Sequence, residues 1–111
     1  MNLLEHNRAA WNQEVKNGNQ WTIPVTKDVL DQAASGQVMI LLTPYKPVPK
    51  DWLGDLNGKD VLCLASGGGQ QGPILAAAGA RVTVFDNSDQ QLKQDAMLSE
   101  QYDLKIKTVQ G

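Results

Sequence analysis

The sequence predicts an α/β fold in which parallel strands alternate with helices. From Lys59 onward the apolar runs VLCLA and RVTVFD are each followed by a helical pattern, and KIKTV has the character of a third strand. Such alternation typically forms a parallel sheet with helices on its faces. The 111 residues, of which 41% are apolar and 20% charged, suit one globular domain with a modest core.

The overall charge and hydropathy exclude several classes of protein. A net charge of -2 provides no broad positive field, so nucleic acid is not favoured as a partner. No apolar run approaches the roughly 18 residues of a spanning helix, and the N-terminus lacks a signal-peptide core. We therefore expect no membrane partner and a cytoplasmic location. The single cysteine, Cys63, cannot form an internal disulfide and is expected in the core.

Two helices are predicted at the start of the chain. Asn2 has capping-box spacing to Glu5 at the first helix, which Asn17 and Gly18 should end. The second helix begins after Thr26 and ends before Gly36. Its inward positions are expected to be Val29, Leu30, Ala33 and Ala34.

A proline-rich connection joins these helices to the first strand. The segment TPYKPVPKDW follows the apolar run Val38 to Leu42, and its prolines oppose regular structure. Tyr45 and Trp52 are expected to dock it onto the core, and a flexible linker is the alternative. With Lys46 they are also candidates for a pocket wall, although surface docking explains them equally well. We divide the chain into an N-terminal helical or cap segment, 1–58, and a cofactor-binding part, 59–111.

The strands and helices after Lys59 have clear boundaries. The first strand, Val61 to Ala65, is almost continuously apolar, as expected of a strand covered on both faces. Pro73 suits the first turn of the helix that follows, and Gly79 should end that helix. The next helix starts at Ser88, which has capping-box spacing to Gln91. Its inward stripe is predicted to be Leu92, Ala96 and Ser99.

A glycine-rich turn after the first strand is the main candidate for a ligand site. Gly67, Gly69 and Gly72 match G-x-G-x-x-G, a spacing that permits a tight turn, close ligand approach and close packing of helix on strand. Unpaired backbone N–H groups are expected there, at the positive end of the helix. Asp86 ends the second strand 19 residues after Gly67, where a carboxylate can bind ribose hydroxyls. Alternatively, the glycines make a simple turn and Asp86 serves that turn or the next helix.

The two motifs together resemble a known enzyme family. VLCLASGGGQQG followed by VTVFDNSDQQL resembles the first two motifs of class I S-adenosylmethionine-dependent methyltransferases, over Lys59 to about Gly111. The family's D-x-S-x-x-x-L pattern matches Asp86, Ser88 and Leu92. The resemblance implies a Rossmann-like three-layer α/β sandwich, represented by about its first three parallel strands after N-terminal helices. It also implies S-adenosyl-L-methionine as cofactor. The two helices before the glycine strand favour the same cofactor, because a dinucleotide domain often starts with that strand.

The resemblance also implies which residues contact the cofactor. In that family the glycine loop wraps the methionine end and the acidic residue after the second strand holds the ribose. The residues implied for the loop are Ala65, Ser66, Gly67, Gly68, Gly69 and Gln70. Asp86 would hold the ribose, with Asn87 beside the ribose or adenine. Two positions depart from the family: Cys63 replaces a common acidic residue, and Ala65 replaces the usual first glycine.

The N-terminal segment NRAAWN resembles the opening helix of many small-molecule methyltransferases, which folds over the cofactor. Arg8, Trp11 and Asn12 would then cover the site, with Trp11 counted among the cofactor contacts. Equally, the helix is a simple amphipathic one with Trp11 in the core.

These features predict methyl transfer from S-adenosylmethionine to an unidentified small-molecule acceptor, with no catalytic residue and no metal ligand identified in the sequence. Because the family fold has more strands and a longer chain, we expect an N-terminal portion that is inactive alone and able to oligomerise through exposed sheet edges. One alternative is an NAD(P)-binding oxidoreductase fragment, which shares the glycine spacing and the acidic residue. The other is a non-catalytic nucleotide-binding or interaction module.

Overall fold

A parallel three-stranded sheet with helices against one face is the centre of the fold. The structure is a computed structural model that describes residues 2–19, 22–43 and 46–111. In chain order the elements are α1 (Leu3–Lys16), α2 (Lys27–Ala34), β1 (Leu41–Thr43), β2 (Lys46–Pro47), α3 (Lys50–Leu53), β3 (Asp60–Leu64), α4 (Gln71–Ala77), β4 (Arg81–Asp86), α5 (Asp89–Tyr102) and β5 (Ile106–Gln110). The sheet has the order β3-β4-β5, which confirms the predicted α/β fold.

The core lies between this sheet and the helices α4 and α5. Cys63 and Val84 face it from neighbouring strands, and Ile74 and Leu92 face it from the two helices. Val84 is completely buried. Burial of these apolar side chains is the main favourable contribution to the folding of this part.

The opposite face of the sheet is open. Leu62 and Leu64 are 60% and 67% exposed, and Phe85 on β4 is 38% exposed. Side chains alternate between the two faces of a strand, so these residues point away from Cys63 and Val84. The prediction that β3 is covered on both faces was therefore wrong in the part of the chain described, because α4 and α5 pack on the same face.

The helix caps form as predicted. Asn2 Oδ1 accepts a hydrogen bond from Glu5 N at 2.8 Å, and Ser88 Oγ accepts one from Gln91 N at 3.1 Å. The predicted inward stripe of α5 was partly wrong, because Ala96 is exposed. The buried residues of this helix are Gln91, Leu92, Asp95 and Leu98.

The N-terminal segment packs on the same core but differs in detail from the prediction. From α2, Leu30 and Ala33 are buried whereas Ala34 is exposed, so the prediction for Ala34 was wrong. The antiparallel pair β1 and β2 joins the end of the apolar run to the proline-rich connection, and Leu41 lies opposite Pro47 in it. A proline is tolerated there because each strand of a two-stranded sheet has an edge that needs no donor.

The prediction that aromatic residues dock the connection onto the core was also wrong for Trp52, because this side chain is 66% exposed. The same prediction for Tyr45 lies outside the described residues. Ala33, Ile40 and Leu56 join one core cluster with residues of the sheet, so residues before and after position 58 share a core. The division at that position stays a prediction.

Among the residues with described structure, no helix is both long enough and apolar enough to cross a membrane.

Candidate functional site

The glycine-rich loop joins the carboxyl end of β3 to α4 and has an unusual backbone. Gly68 and Gly69 have φ angles of 115° and 76°, in the region that favours glycine. Ala65 has a φ of 51°, a conformation that costs a residue with a Cβ atom about 1–2 kcal/mol. In the resemblance described above, Ala65 stands where the family usually has glycine. The positive φ at this position is the physical reason why glycine is preferred there.

Packing inside the protein accounts for the three glycines of the G-x-G-x-x-G spacing. A Cβ atom on Gly67 would lie 2.7 Å from Gln91 Cβ, and one on Gly72 would lie 2.7 Å from Val84 Cγ2. At Gly69 it would lie 2.9 Å from Pro24 Cβ. The spacing therefore serves close contacts between the loop, α5 and the sheet, and does not by itself indicate close approach of a ligand.

The N–H groups of the loop point into the protein. Gly67 N donates to Asp86 Oδ2 at 2.8 Å, and Gly68 N donates to Asp95 Oδ2 at 3.0 Å. Gly68 N also lies 3.0 Å from the backbone oxygen of Gln91, which is a second acceptor for it. The prediction of unpaired N–H groups was wrong for Gly67 and Gly68, because acceptors at the end of β4 and within α5 take their hydrogen bonds.

Asp86 connects the glycine loop to the start of α5. Its side chain is nearly buried, at 8% exposure, and Oδ1 accepts from Ser88 N at 2.8 Å while Oδ2 accepts from Gly67 N. It therefore has the turn role that the sequence left open. A carboxylate oxygen accepts more than one hydrogen bond, so this role leaves acceptor capacity for a ligand.

A cavity of about 520 Å³ opens where these elements meet, at the carboxyl ends of β3 and β4. Ligands of open α/β sheets bind at this edge. Of the predicted contacts, those that line it are Trp11, Ala65, Ser66, Gly67, Gln70, Asp86 and Asn87. Gly68 and Gly69 are buried behind the wall and do not line the cavity. A wider groove of about 590 Å³, lined by Asp60, Arg81 and Lys105, lies at the opposite ends of the strands.

Helix α1 forms the second wall of the cavity and is held by polar contacts. Arg8 Nε donates to the backbone oxygen and to Oδ1 of Asn87, at 3.0 and 3.1 Å. Asn12 accepts from Ser88 Oγ at 2.6 Å and donates to Asp89 Oδ1 at 2.9 Å. No residue of α1 is buried.

Trp11 lies on the cavity side of this helix and is 43% exposed. The alternative that places Trp11 in the core is therefore wrong. Arg8 and Asn12 were predicted to cover the cofactor, but the contacts that the structure shows for them are with residues 87–90.

The sequence interpretation missed two polar residues of α5: Gln91, which lines the cavity, and Asp95, which lies behind the loop. Asp95 is completely buried, and burial raises the pKa of its carboxyl to about 7, although the N–H groups of Gly68 and Gly69 oppose the shift. Within the described parts of the chain, Asp95 Oδ1, Gln91 Oε1 and Ser66 Oγ have no hydrogen-bond partner. Helical spacing was the available signal, because Asp95 lies three and four residues from Leu92 and Gln91.

A smaller cavity of about 310 Å³ adjoins the first one. Its walls come from α2, α4 and the segment before β1, and they are mostly apolar, as at Val29, Met39 and Ile74. Gln70 and Gln71 line both cavities. The two spaces therefore meet at the start of α4.

The described residues contain no group of three or more His, Cys, Asp or Glu side chains that could hold a metal ion. Cys63 is buried, and burial raises the pKa of its thiol above the ordinary value.

Comparison with known proteins gives one informative match. No family model matches the chain. The chain is similar to a curated protein of Bacillus subtilis (strain 168) named "Uncharacterized methyltransferase YbaJ", with 56% identity over 109 residues. The alignment covers 98% of this chain and 43% of that relative, so the chain spans less than half the length of the protein it matches.

Proposed function

The chain belongs to the same methyltransferase family as this relative, and from that premise we propose that its 520 Å³ cavity binds S-adenosyl-L-methionine for methyl transfer. The observation that carries the proposal is the arrangement of the loop. Ala65, Ser66 and Gly67 line the cavity, while the N–H groups of Gly67 and Gly68 point to internal carboxylates.

This arrangement favours a methyl donor over a dinucleotide. A dinucleotide places its pyrophosphate against free N–H groups at the glycine loop. Here Asp86 and Asp95 accept those hydrogen bonds, and their carboxylates would repel a phosphate. S-adenosylmethionine carries no phosphate and has a positive sulfonium, so it suits the same surroundings.

The residues of the cavity fit the parts of this cofactor. In our proposal Asp86 accepts hydrogen bonds from the ribose hydroxyls with its remaining lone pairs, beside Asn87. The loop from Ala65 to Gly67 contacts the methionine end, and Trp11 covers the cavity from α1. The bound cofactor supplies an activated methyl group. The protein contributes by orienting the two reactants and by excluding water, which needs no nucleophilic side chain.

We propose a small molecule as the methyl acceptor. The net charge of -2 does not favour a nucleic acid, and the adjoining cavity of about 310 Å³ has the size of a small-molecule site. Its apolar walls suit an acceptor with an apolar body. Contacts to the acceptor would also come from the part of the longer relative that this chain does not span, so we expect no turnover by the chain alone. A cytoplasmic location remains a prediction.

Cofactor binding is tested by calorimetry with S-adenosylhomocysteine and, separately, with NADH. We expect binding of the first and none of the second. Binding of NADH alone would contradict the proposal and favour the oxidoreductase. The acceptor class is tested with the longer Bacillus subtilis relative, methyl-labelled S-adenosylmethionine and a cell extract. Label in the low-mass fraction supports a small-molecule acceptor, and label confined to RNA or protein contradicts it.

A further inference from the structure

Asp95 is the most unusual buried group in the molecule. It lies in the middle of α5, its exposure is 0%, and one of its oxygens accepts from Gly68 N at 3.0 Å while the other has no partner in the described parts. Burial of a carboxylate is unfavourable unless its charge is compensated and its oxygens are hydrogen-bonded. In this structure the hydrogen bond that compensates the charge of Asp95 comes from Gly68 N, and the neighbouring N–H of Gly69 adds a favourable interaction that lowers the pKa of the carboxyl.

The contact joins α5 to the part of the loop that does not line the cavity. Gly68 and Gly69 both have positive φ angles, and Gly69 O accepts from Val25 N at 2.8 Å. The two glycines are therefore fixed from two sides: by α5, through the Asp95 carboxylate and the backbone oxygen of Gln91, and by the segment before α2. Residues 65–67 come directly before them and form the wall of the cavity.

We infer that Asp95 is a positioning residue, whose ionised carboxylate holds the Gly68–Gly69 turn and so keeps residues 65–67 in the shape that binds the cofactor. Uptake of a proton by Asp95 weakens this hold and lowers cofactor affinity. The link to the cofactor rests on the function proposed above, whereas the hold on the loop does not.

The surroundings make this ionisation sensitive to pH near neutrality. The titratable groups that face Asp95 from the packed elements are Asp86 on β4 and Cys63 on β3. The charge of Asp86 disfavours a second negative charge, and Cys63 is neutral because burial raises the pKa of its thiol. Helix α4 contributes no titratable side chain, and the ion pairs of the described residues do not include Asp95. Burial is the largest cause that raises the pKa of Asp95 to about 7.

The sign of the effect on stability is opposite to the sign of the effect on binding. Because the pKa of Asp95 in the folded protein lies above its ordinary value of 3.8, the folded state loses stability as the pH rises from about 4 to about 7. Asp95→Asn removes the buried charge, so it should raise the midpoint of thermal unfolding at pH 8 while it weakens cofactor binding. If the Asp95 carboxylate only stabilised the fold, Asp95→Asn would lower both the midpoint of thermal unfolding and the affinity for the cofactor.

The test compares Asp95→Asn with Glu100→Gln, which removes an exposed charge from the same helix. Chemical shifts of the Gly68 and Gly69 amides are followed by NMR between pH 5 and pH 8.5. We expect both amides to titrate with a midpoint near 7 in the wild type and in Glu100→Gln, and not in Asp95→Asn. Amides that titrate in the same way in all three proteins, or not at all in the wild type, would overturn the inference.

Binding of S-adenosylhomocysteine is measured on the same proteins. At pH 8 we expect affinity about tenfold lower in Asp95→Asn, as for the loss of one charge-assisted hydrogen bond, and wild-type affinity that falls toward this value at pH 6. Equal affinity in both proteins at every pH would refute the role of Asp95 and leave the cofactor proposal standing. If the wild type does not bind this ligand but its glycine amides titrate, the proposed function fails and Asp95 retains only its hold on the loop.

Discussion

The two walls of the cavity are attached to the protein in opposite ways. The glycine loop and the first turn of α4 are held from behind by buried carboxylates and by close packing on Pro24, Val84 and Gln91. Helix α1 buries no residue and is held by hydrogen bonds to the start of α5. A typical hydrogen bond contributes only about 1 kcal/mol of net free energy, whereas a packed interior tolerates almost no change of shape. The comparison indicates that the glycine loop is a rigid wall, whereas α1 can separate from the rest of the protein at a small cost in free energy.

The largest expected effect is just behind the rigid wall, in the first turn of α4, in Gly72→Ala. The new Cβ atom would lie 2.7 Å from Val84 Cγ2 at a completely buried position. Overpacking of this kind should lower the free energy of unfolding by about 2–3 kcal/mol, measured by urea denaturation. Gly18→Ala is the control, because no described residue lies within 4 Å of its new Cβ and its φ of 71° alone should cost about 1 kcal/mol. Equal losses in both variants would show that the contact with β4 is not tight.

The next effect concerns the wall formed by α1, through Trp11→Ala. Loss of the indole should weaken binding of S-adenosylhomocysteine about tenfold, with little change in the free energy of unfolding, because Trp11 lines the cavity and is 43% exposed. Trp52→Ala is the matched control, since Trp52 is 66% exposed and does not line this cavity. Calorimetry checks the pair. Similar affinity losses in the two variants would argue against a covering role for α1.

A smaller change should follow Asn12→Ala, which removes the contacts of α1 with Ser88 and Asp89. We expect hydrogen exchange of the α1 amides to become several-fold faster, while exchange in β4 is unchanged. The free energy of unfolding should fall by only about 1 kcal/mol. If exchange in β4 accelerated equally, α1 would unfold together with the sheet and the two walls would not differ.

The smallest effect is expected from Ala65→Gly. Relief of the left-handed backbone at φ 51° should stabilise the protein by about 1 kcal/mol or less, since glycine also has more freedom in the unfolded state. A shift of the urea midpoint without a change of slope is the measurement. A loss of stability would mean that the alanine methyl group makes contacts that outweigh the strain.

Local signals were sufficient to predict much of the fold. The caps at Asn2 and Ser88 and the apolar runs of β3 and β4 depend on residues close in sequence, and they located these elements well. The cavity residues Gly67 and Asp86 were likewise found from motif spacing, and the structure places them in contact.

What the sequence did not predict depends on distant partners. Both acceptors for Gly68 N lie in α5, the Asp95 carboxylate being 27 residues away, so spacing within the loop gives no sign that this N–H is occupied. The inward stripe of α5 was predicted from helical spacing as Leu92, Ala96 and Ser99, and Ala96 is exposed. The neighbouring Asp95 is buried instead, since the glycine loop supplies donors for its carboxylate. The open face of the sheet has no local signature either, because Leu62 and Leu64 are typical of a covered strand.

That open face affects how the stability of the protein depends on temperature. Leu62, Leu64 and Phe85 keep apolar surface in water in the folded state, so unfolding exposes less new apolar surface than in a domain with both sheet faces covered. The heat capacity change of unfolding should therefore fall below the usual value of about 12–15 cal/mol/K per residue, which gives a flatter stability curve. A polypeptide that covers this face would raise the heat capacity change of unfolding toward the usual value. Calorimetry would detect its binding through that increase.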